Sequence, residues 1–153
     1  MERHGMALLR LAIMLTGNRA DAEDAVQDAL IAVAMSPSGV GRTAGLSYLR
    51  RAVSNRAIDI LRGRRDVTME QLPDAPKEDY GFLRMEQDRA FFARVDVLPL
   101  KQRATVVLRY YADLDDRAIA EILGVSVQTV RSQAHHALTK LRAASVEREG
   151  IRR

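Results

Sequence analysis

The chain has no cysteine, only four prolines and few aromatic residues among its 153. Without cysteine there is no disulfide framework and no thiolate metal site, which suits the reducing interior of a cell. So few prolines, and so few alternations of β-branched with polar residues, argue against a strand-rich fold. Ala, Leu and Arg dominate instead, and an all-helical protein is expected. Long hydrophobic runs are missing as well. "ALLRLAIML" (7–15) is too short to span a bilayer and lacks the small-residue cleavage pattern of a signal peptide. Membrane insertion is therefore not expected, and a soluble, cytoplasmic protein is. No internal repeat is visible, and no heptad seam of the kind a dimeric repressor would use.

What is present is ample apolar material and an uneven charge. Apolar residues make up 47% of the chain, enough for packed cores and against wholesale disorder. The net charge is +4, yet residues 66–90 hold seven acids against three bases, so the two flanks are basic, at about +4 each by the same count. Between 42 and 65, seven arginines (Arg42, Arg50, Arg51, Arg56, Arg62, Arg64, Arg65) face a single acid, Asp59. Two basic lobes joined by an acidic connector suit a polyanion partner, although arginine-rich helix faces are also common as solvated surface. Apolar periodicity fails in "RRDVTMEQLPDAPKEDYG", where two prolines sit among scattered acids. An N-terminal domain is accordingly expected over 1–65, a flexible acidic linker over 66–83 and a C-terminal domain over 84–146.

In the N-terminal part, residues 6–15 are apolar nearly all round, as in a central helix, and Gly17 is placed to end it in a left-handed cap. The next helix opens at "DAED", with Asp21 as the expected cap. Ala22, Ala25, Val26, Ala29, Leu30 and Val33 form its inward stripe, and Asp21, Glu23, Asp24, Gln27 and Asp28 an acidic outer face. Capping and solvation account for part of that face; a docking surface for a basic partner helix is the sharper reading. "SPSGVGRTAGLS" reads as a loop. A third helix runs from Leu46 to about Arg62, with Leu49, Val53, Ala57, Ile60 and Leu61 inward. Arginines at a helix end complement its dipole, which suffices for Arg62, Arg64 and Arg65. It does not explain Arg50 and Arg51 in mid-helix beside Tyr48 and Asn55. Guanidinium forks hold phosphates, while an aromatic ring and an amide can stack on and hydrogen-bond an unstacked base.

In the C-terminal part, Pro99 introduces a stripe of Leu100, Ala104, Val107, Leu108 and Tyr111. Asp115 or Asp116 caps a short helix, Gly124 closes it, and Ser126 caps another whose buried stripe is Val127, Val130, Ala134, Ala137, Leu138 and Leu141. Ala120, Gly124 and Val130 together mark a helix-turn-helix: a small residue for close approach, a glycine for the left-handed turn, a branched residue to lock the second helix. A plain helical hairpin is the alternative. In a helix-turn-helix the second helix enters the major groove, and its outward residues here are Ser126, Gln128, Thr129, Arg131, Ser132 and His135. Gln pairs bidentately with adenine and Arg with guanine. His135 and His136 are about 100° apart around the helix and lack the i,i+4 spacing of a shared metal, with Glu121 the sole nearby third ligand. No metal and no cofactor are expected.

"DAEDAVQDAL", "SYLRRAVSNRAIDILRGRR" and "LPLKQRATVVLRYYADLDDRAIAEILGVSVQTVRSQAHHALTKLR", in that order, closely resemble bacterial RNA polymerase sigma factors of the extracytoplasmic-function class, most of all its short actinobacterial members. The resemblance implies two helical domains, of the region 2 and region 4 kinds, that bind core RNA polymerase and promoter DNA and perform no catalysis. It would place Asp21, Glu23, Asp24, Gln27 and Asp28 on the helix that docks the clamp coiled coil of the largest polymerase subunit. The loop 39–47 and the helix carrying Tyr48, Arg50, Arg51, Asn55, Arg62, Arg64 and Arg65 would engage the minus-ten element. The helix from Ser126 would read the minus-thirty-five element, and the linker would thread toward the active-centre and RNA-exit channels. An anti-sigma factor is a further partner the resemblance leaves open. The chain departs from the family at Gln133 and His136, often basic there, and at Ala134, often larger; a weaker phosphate grip is expected. Aromatics are sparse in the strand-opening segment, with Leu46 and Ala34 where they are frequent and Tyr48 the one retained.

Two other functions fit these residues less well. A stand-alone helix-turn-helix regulator would not need both the acidic helix and the Tyr-Arg-Asn helix. A nuclease built on Asp113, Asp115 and Asp116 lacks a paired histidine or lysine, and helix capping explains those acids.

Overall fold

The computed structural model describes residues 2–36, 45–63 and 86–152. Among the described residues every regular element is helical, in agreement with the composition. The expected linker, the loop 39–44, and Arg64 and Arg65 lie outside the described residues.

Three helices make the first lobe: α1 (Glu2–Thr16), α2 (Arg19–Ala34) and α3 (Gly45–Gly63). Helix α1 contributes Leu8, Leu11, Ala12, Met14 and Leu15, all at 2% exposure or less, so it is the central helix its sequence suggested. It ends at Gly17, whose φ of 72° is the left-handed conformation a glycine adopts without a Cβ clash. The inner stripe of α2 is small, Ala22, Ala25 and Ala29, which lets it lie close against both neighbours. Helix α3 buries Val53, Ser54, Ala57 and Ile58, while Leu49, Ile60 and Leu61 are half-buried, so its inner face is turned slightly from the expected one.

The start of α2 is a correction. Its N-cap is Asn18, whose Oδ1 accepts a hydrogen bond from the Asp21 N–H at 3.1 Å. The helix thus begins before the expected Asp21 cap, and Asp21 turns inward at 3% exposure. It is not part of the outer acidic face.

The second lobe holds α4 (Glu86–Val95), α5 (Leu100–Val106) running into a π turn (Val107–Tyr111), α6 (Asp116–Leu123) and α7 (Val127–Arg152). Helix α4 lay within the expected domain but carried no signal strong enough to single it out. It supplies Phe92 and Val95 to the core. Helix α7 runs past the expected end of the domain at 146. The π turn is closed by the Ala112 N–H on the Val107 carbonyl at 3.0 Å and leads into Asp113, a non-glycine residue at φ 58°. The buried residues of the two lobes form one continuous apolar cluster, with α3 against α6 and α1 against the π turn.

Candidate nucleic-acid interface

The turn between α6 and α7 is built by local chemistry at each end. Asp115 is the α6 N-cap, its Oδ1 accepting from the Ala118 N–H at 2.8 Å, so of the two candidate aspartates it is the one that caps. At the other end Gly124 sits at φ 68°, and the Val125 N–H reaches back to the Ala120 carbonyl at 3.0 Å, the six-to-one bond of a Schellman cap. Ser126 Oγ then accepts from the Thr129 N–H at 3.0 Å and starts α7. Ile119, Val130 and Ala137 are fully buried between the helices, with Ala134 at 1%. This is the helix-turn-helix expected from Ala120, Gly124 and Val130.

The first two turns of α7 present Ser126, Gln128, Arg131, Ser132 and His135 to solvent. Thr129 is half-buried, with its Oγ1 2.9 Å from Ser126 Oγ, so it belongs to the cap as much as to the outer face. His135 and His136 are both exposed, with ring centroids 6.1 Å apart. The Glu121 carboxylate, the third ligand considered for them, is instead ion-paired to Arg51. No cluster of three metal-binding side chains occurs among the described residues.

Arg131 has a neighbour that sequence spacing gave no reason to expect. Its Nε lies 3.5 Å from Asp116 Oδ2, and Asp116 is also held by Arg109 Nη2 at 3.0 Å. Arg109 comes from the π turn, so a core-anchored arginine fixes an aspartate that in turn contacts the recognition helix.

On the first lobe, Tyr48, Arg51 and Asn55 are exposed on α3, and Arg50 and Arg62 are half-buried. Residues 51, 55, 58 and 62 share one helical face. That face lies against α6: Arg51 pairs with Glu121, and Arg62 donates to the Leu123 carbonyl. A Cβ added at Gly124 would stand 3.0 Å from Arg62 Nη2. The helix expected to serve the minus-ten element thus lies against the first helix of the helix-turn-helix and the turn after it, which no spacing within either lobe could have indicated.

The acidic face of α2 keeps Glu23, Asp24, Gln27 and Asp28 exposed. Glu23 pairs with Arg19 at 3.0 Å, and Asp28 with Arg56 of α3 at 2.8 Å. Beyond it the end of α2 exposes Leu30, Ile31 and Met35, at 38%, 48% and 77%. Leu30, part of the expected inward stripe, is instead exposed. The exposed acidic strip of α2 is thus continued by an exposed apolar one.

Comparison with known proteins addresses the same two lobes. The family described as sigma-70 region 2 matches residues 1–67, and sigma-70 region 4 matches residues 89–141. The chain is 37% identical over 140 residues to the RNA polymerase sigma-E factor of Streptomyces avermitilis, covering 89% of this chain and 77% of that protein. It is 34% identical over 152 residues to the ECF RNA polymerase sigma factor SigE of Mycolicibacterium smegmatis, covering 93% of this chain and 58% of that one. To the ECF sigma factor SigL of Mycobacterium tuberculosis it is 30% identical over 150 residues, with 92% and 84% covered.

Proposed function

The chain belongs to the sigma-70 family of RNA polymerase sigma factors, within its extracytoplasmic-function class, and from that premise we propose how its parts divide the work of promoter recognition. As a sigma factor it binds core RNA polymerase and directs promoter-specific initiation, and it is not a stand-alone regulator. It forms and breaks no covalent bond itself; the chemistry is that of the polymerase, in the cytoplasm.

Residues 1–65 act as the polymerase-docking and minus-ten lobe, 84–146 as the minus-thirty-five lobe, and 66–83 as their tether. Glu23, Asp24, Gln27 and Asp28 meet a basic helix of the polymerase, and Leu30, Ile31 and Met35 extend that contact with apolar area. Tyr48, Arg50, Arg51, Asn55 and Arg62, with Arg64 and Arg65, engage the minus-ten element. An exposed ring, an amide and several guanidinium groups on one helix suit an unstacked strand. Ser126, Gln128, Arg131, Ser132 and His135 face the major groove, Arg131 offering a fork to guanine and Gln128 to adenine. Thr129 holds the first turn in shape.

The observation that carries this reading is the fully formed turn from Asp115 to Ser126, which projects the polar start of α7 into solvent. Reconstitution tests it. The chain, mixed with core polymerase and genomic fragments, should yield run-off transcripts from discrete start sites. Absence of core binding at low salt would overturn it. Whether an anti-sigma factor joins the system is tested by asking which cellular proteins compete with core polymerase for the chain.

A further inference from the structure

We propose that Asp116 is a positioning residue for promoter specificity: it holds the Arg131 side chain in its base-reading pose, and is itself held by Arg109. The inference rests on the reading of Arg131 as a base contact.

The geometry is a relay of three charges. Arg109 Nη2 sits 3.0 Å from both carboxylate oxygens of Asp116, whose side chain is 19% exposed. One of those oxygens lies 3.5 Å from Arg131 Nε. Arg131 is the outermost member, with 64% of its side chain exposed. The contact uses Nε, so the terminal amines of Arg131 are not engaged by Asp116. Among the described residues no other hydrogen bond or ion pair engages Arg131.

Two consequences follow. An arginine has several rotatable bonds, and the freedom it loses on binding opposes the contact; restraint before binding reduces that loss. The Asp116 carboxylate also offsets part of the Arg131 charge, which disfavours a swing toward the nearest phosphate. A fork held at Nε and screened from the backbone is suited to reading a base edge rather than to gripping DNA of any sequence.

The test uses the full chain assembled with core polymerase and a promoter library randomised across the upstream element. Asp116→Asn keeps the size of the side chain and removes its charge. We expect it to lower discrimination at the base pair opposite Arg131 by about three- to tenfold. Affinity for unrelated DNA should be unchanged or higher, and the slope of log affinity against log salt steeper by up to about one, as for one added phosphate contact. Asp116→Glu, which retains the carboxylate, should keep most of the discrimination. On an Arg131→Ala background, Asp116→Asn should have no further effect on base preference.

A merely structural aspartate would lower binding to all sequences alike, and that result overturns the proposal. If Arg131→Ala relaxes one base pair while Asp116→Asn relaxes none, the positioning role fails and the base-reading assignment stands. If Arg131→Ala weakens all sequences equally, the base-reading assignment fails and the positioning role with it. Matched thermal melts of the variants keep loss of fold from being read as loss of specificity.

Discussion

Single residues at the turn between α6 and α7 do more than one thing, and Gly124 shows it best. Its φ of 68° is a conformation in which any Cβ is strained, and a Cβ there would stand 3.0 Å from Arg62 Nη2, close enough that the guanidinium must shift. Gly45 has nearly the same φ, 63°, with nothing near its missing Cβ. Gly45→Ala should therefore report backbone strain alone, a loss of about 1–2 kcal/mol. Gly124→Ala carries the same strain and must also shift the Arg62 guanidinium that donates to the Leu123 carbonyl, so it should be the more damaging of the two. Urea unfolding of both variants checks this, and equal losses would mean that Arg62 yields without cost. Asp28 separates in a similar way. Its ion pair with Arg56 is exposed on both sides, and such pairs contribute about 0–1 kcal/mol. Asp28→Ala should thus leave stability nearly unchanged, and a marked fall in affinity for core polymerase would belong to docking rather than folding.

Elements are where the sequence was most readable, because caps and turns are local. Gly124 and Ser126 could be assigned, and the α6 cap narrowed to Asp115 or Asp116, from residue type and spacing, since each makes its bond within a few positions along the chain. Ser126→Ala should cost about 1 kcal/mol. It should weaken specific DNA binding further, because the frayed turn is the one that carries Gln128; a mobility shift on the cognate promoter alongside a urea titration separates the two effects. The inner stripe of α7 was legible because its period is imposed by one core, and α1 was legible as a central helix because it is apolar nearly all round. The acidic face of α2 was only partly so. Asn18 and Asp21 are both good capping residues, and the earlier one wins because it lies immediately before the helix that Arg19 starts, which rotates Asp21 into the core. Helix α4 borders the acidic linker, where charges blur its short apolar stripe. Hardest to foresee were Arg109–Asp116–Arg131 and Arg51–Glu121. Each joins residues from different elements, and only tertiary packing brings them together.

The molecule as a whole presents a problem of reach. Elements at minus ten and minus thirty-five are separated by about 25 base pairs, or roughly 85 Å of duplex at about 3.4 Å per pair. A compact chain of this length is only about 40 Å across. On the proposed division of labour, lobes held with α3 against α6 could not put both readers on their elements at once, so engaging both would require the lobes to part. The contacts that must break are Arg51 with Glu121, Arg62 with the Leu123 carbonyl, and the apolar cluster the lobes share. Arg51 and Arg62 are also residues assigned to the minus-ten element, so opening uncovers part of the interface it serves. The 22 residues between Gly63 and Glu86 reach at most about 75 Å when extended, enough for the lobes to occupy distant sites while tethered. The lack of native cysteine makes a direct test possible. In an Arg51→Cys/Glu121→Cys variant, a short reducible thiol crosslinker should join the lobes of the free chain efficiently. The crosslinked protein should fail to initiate from a promoter that needs both elements, and reduction of the linker should return activity to the level of the same variant never crosslinked. Full initiation by the crosslinked chain would show that the two lobes serve the promoter without separating.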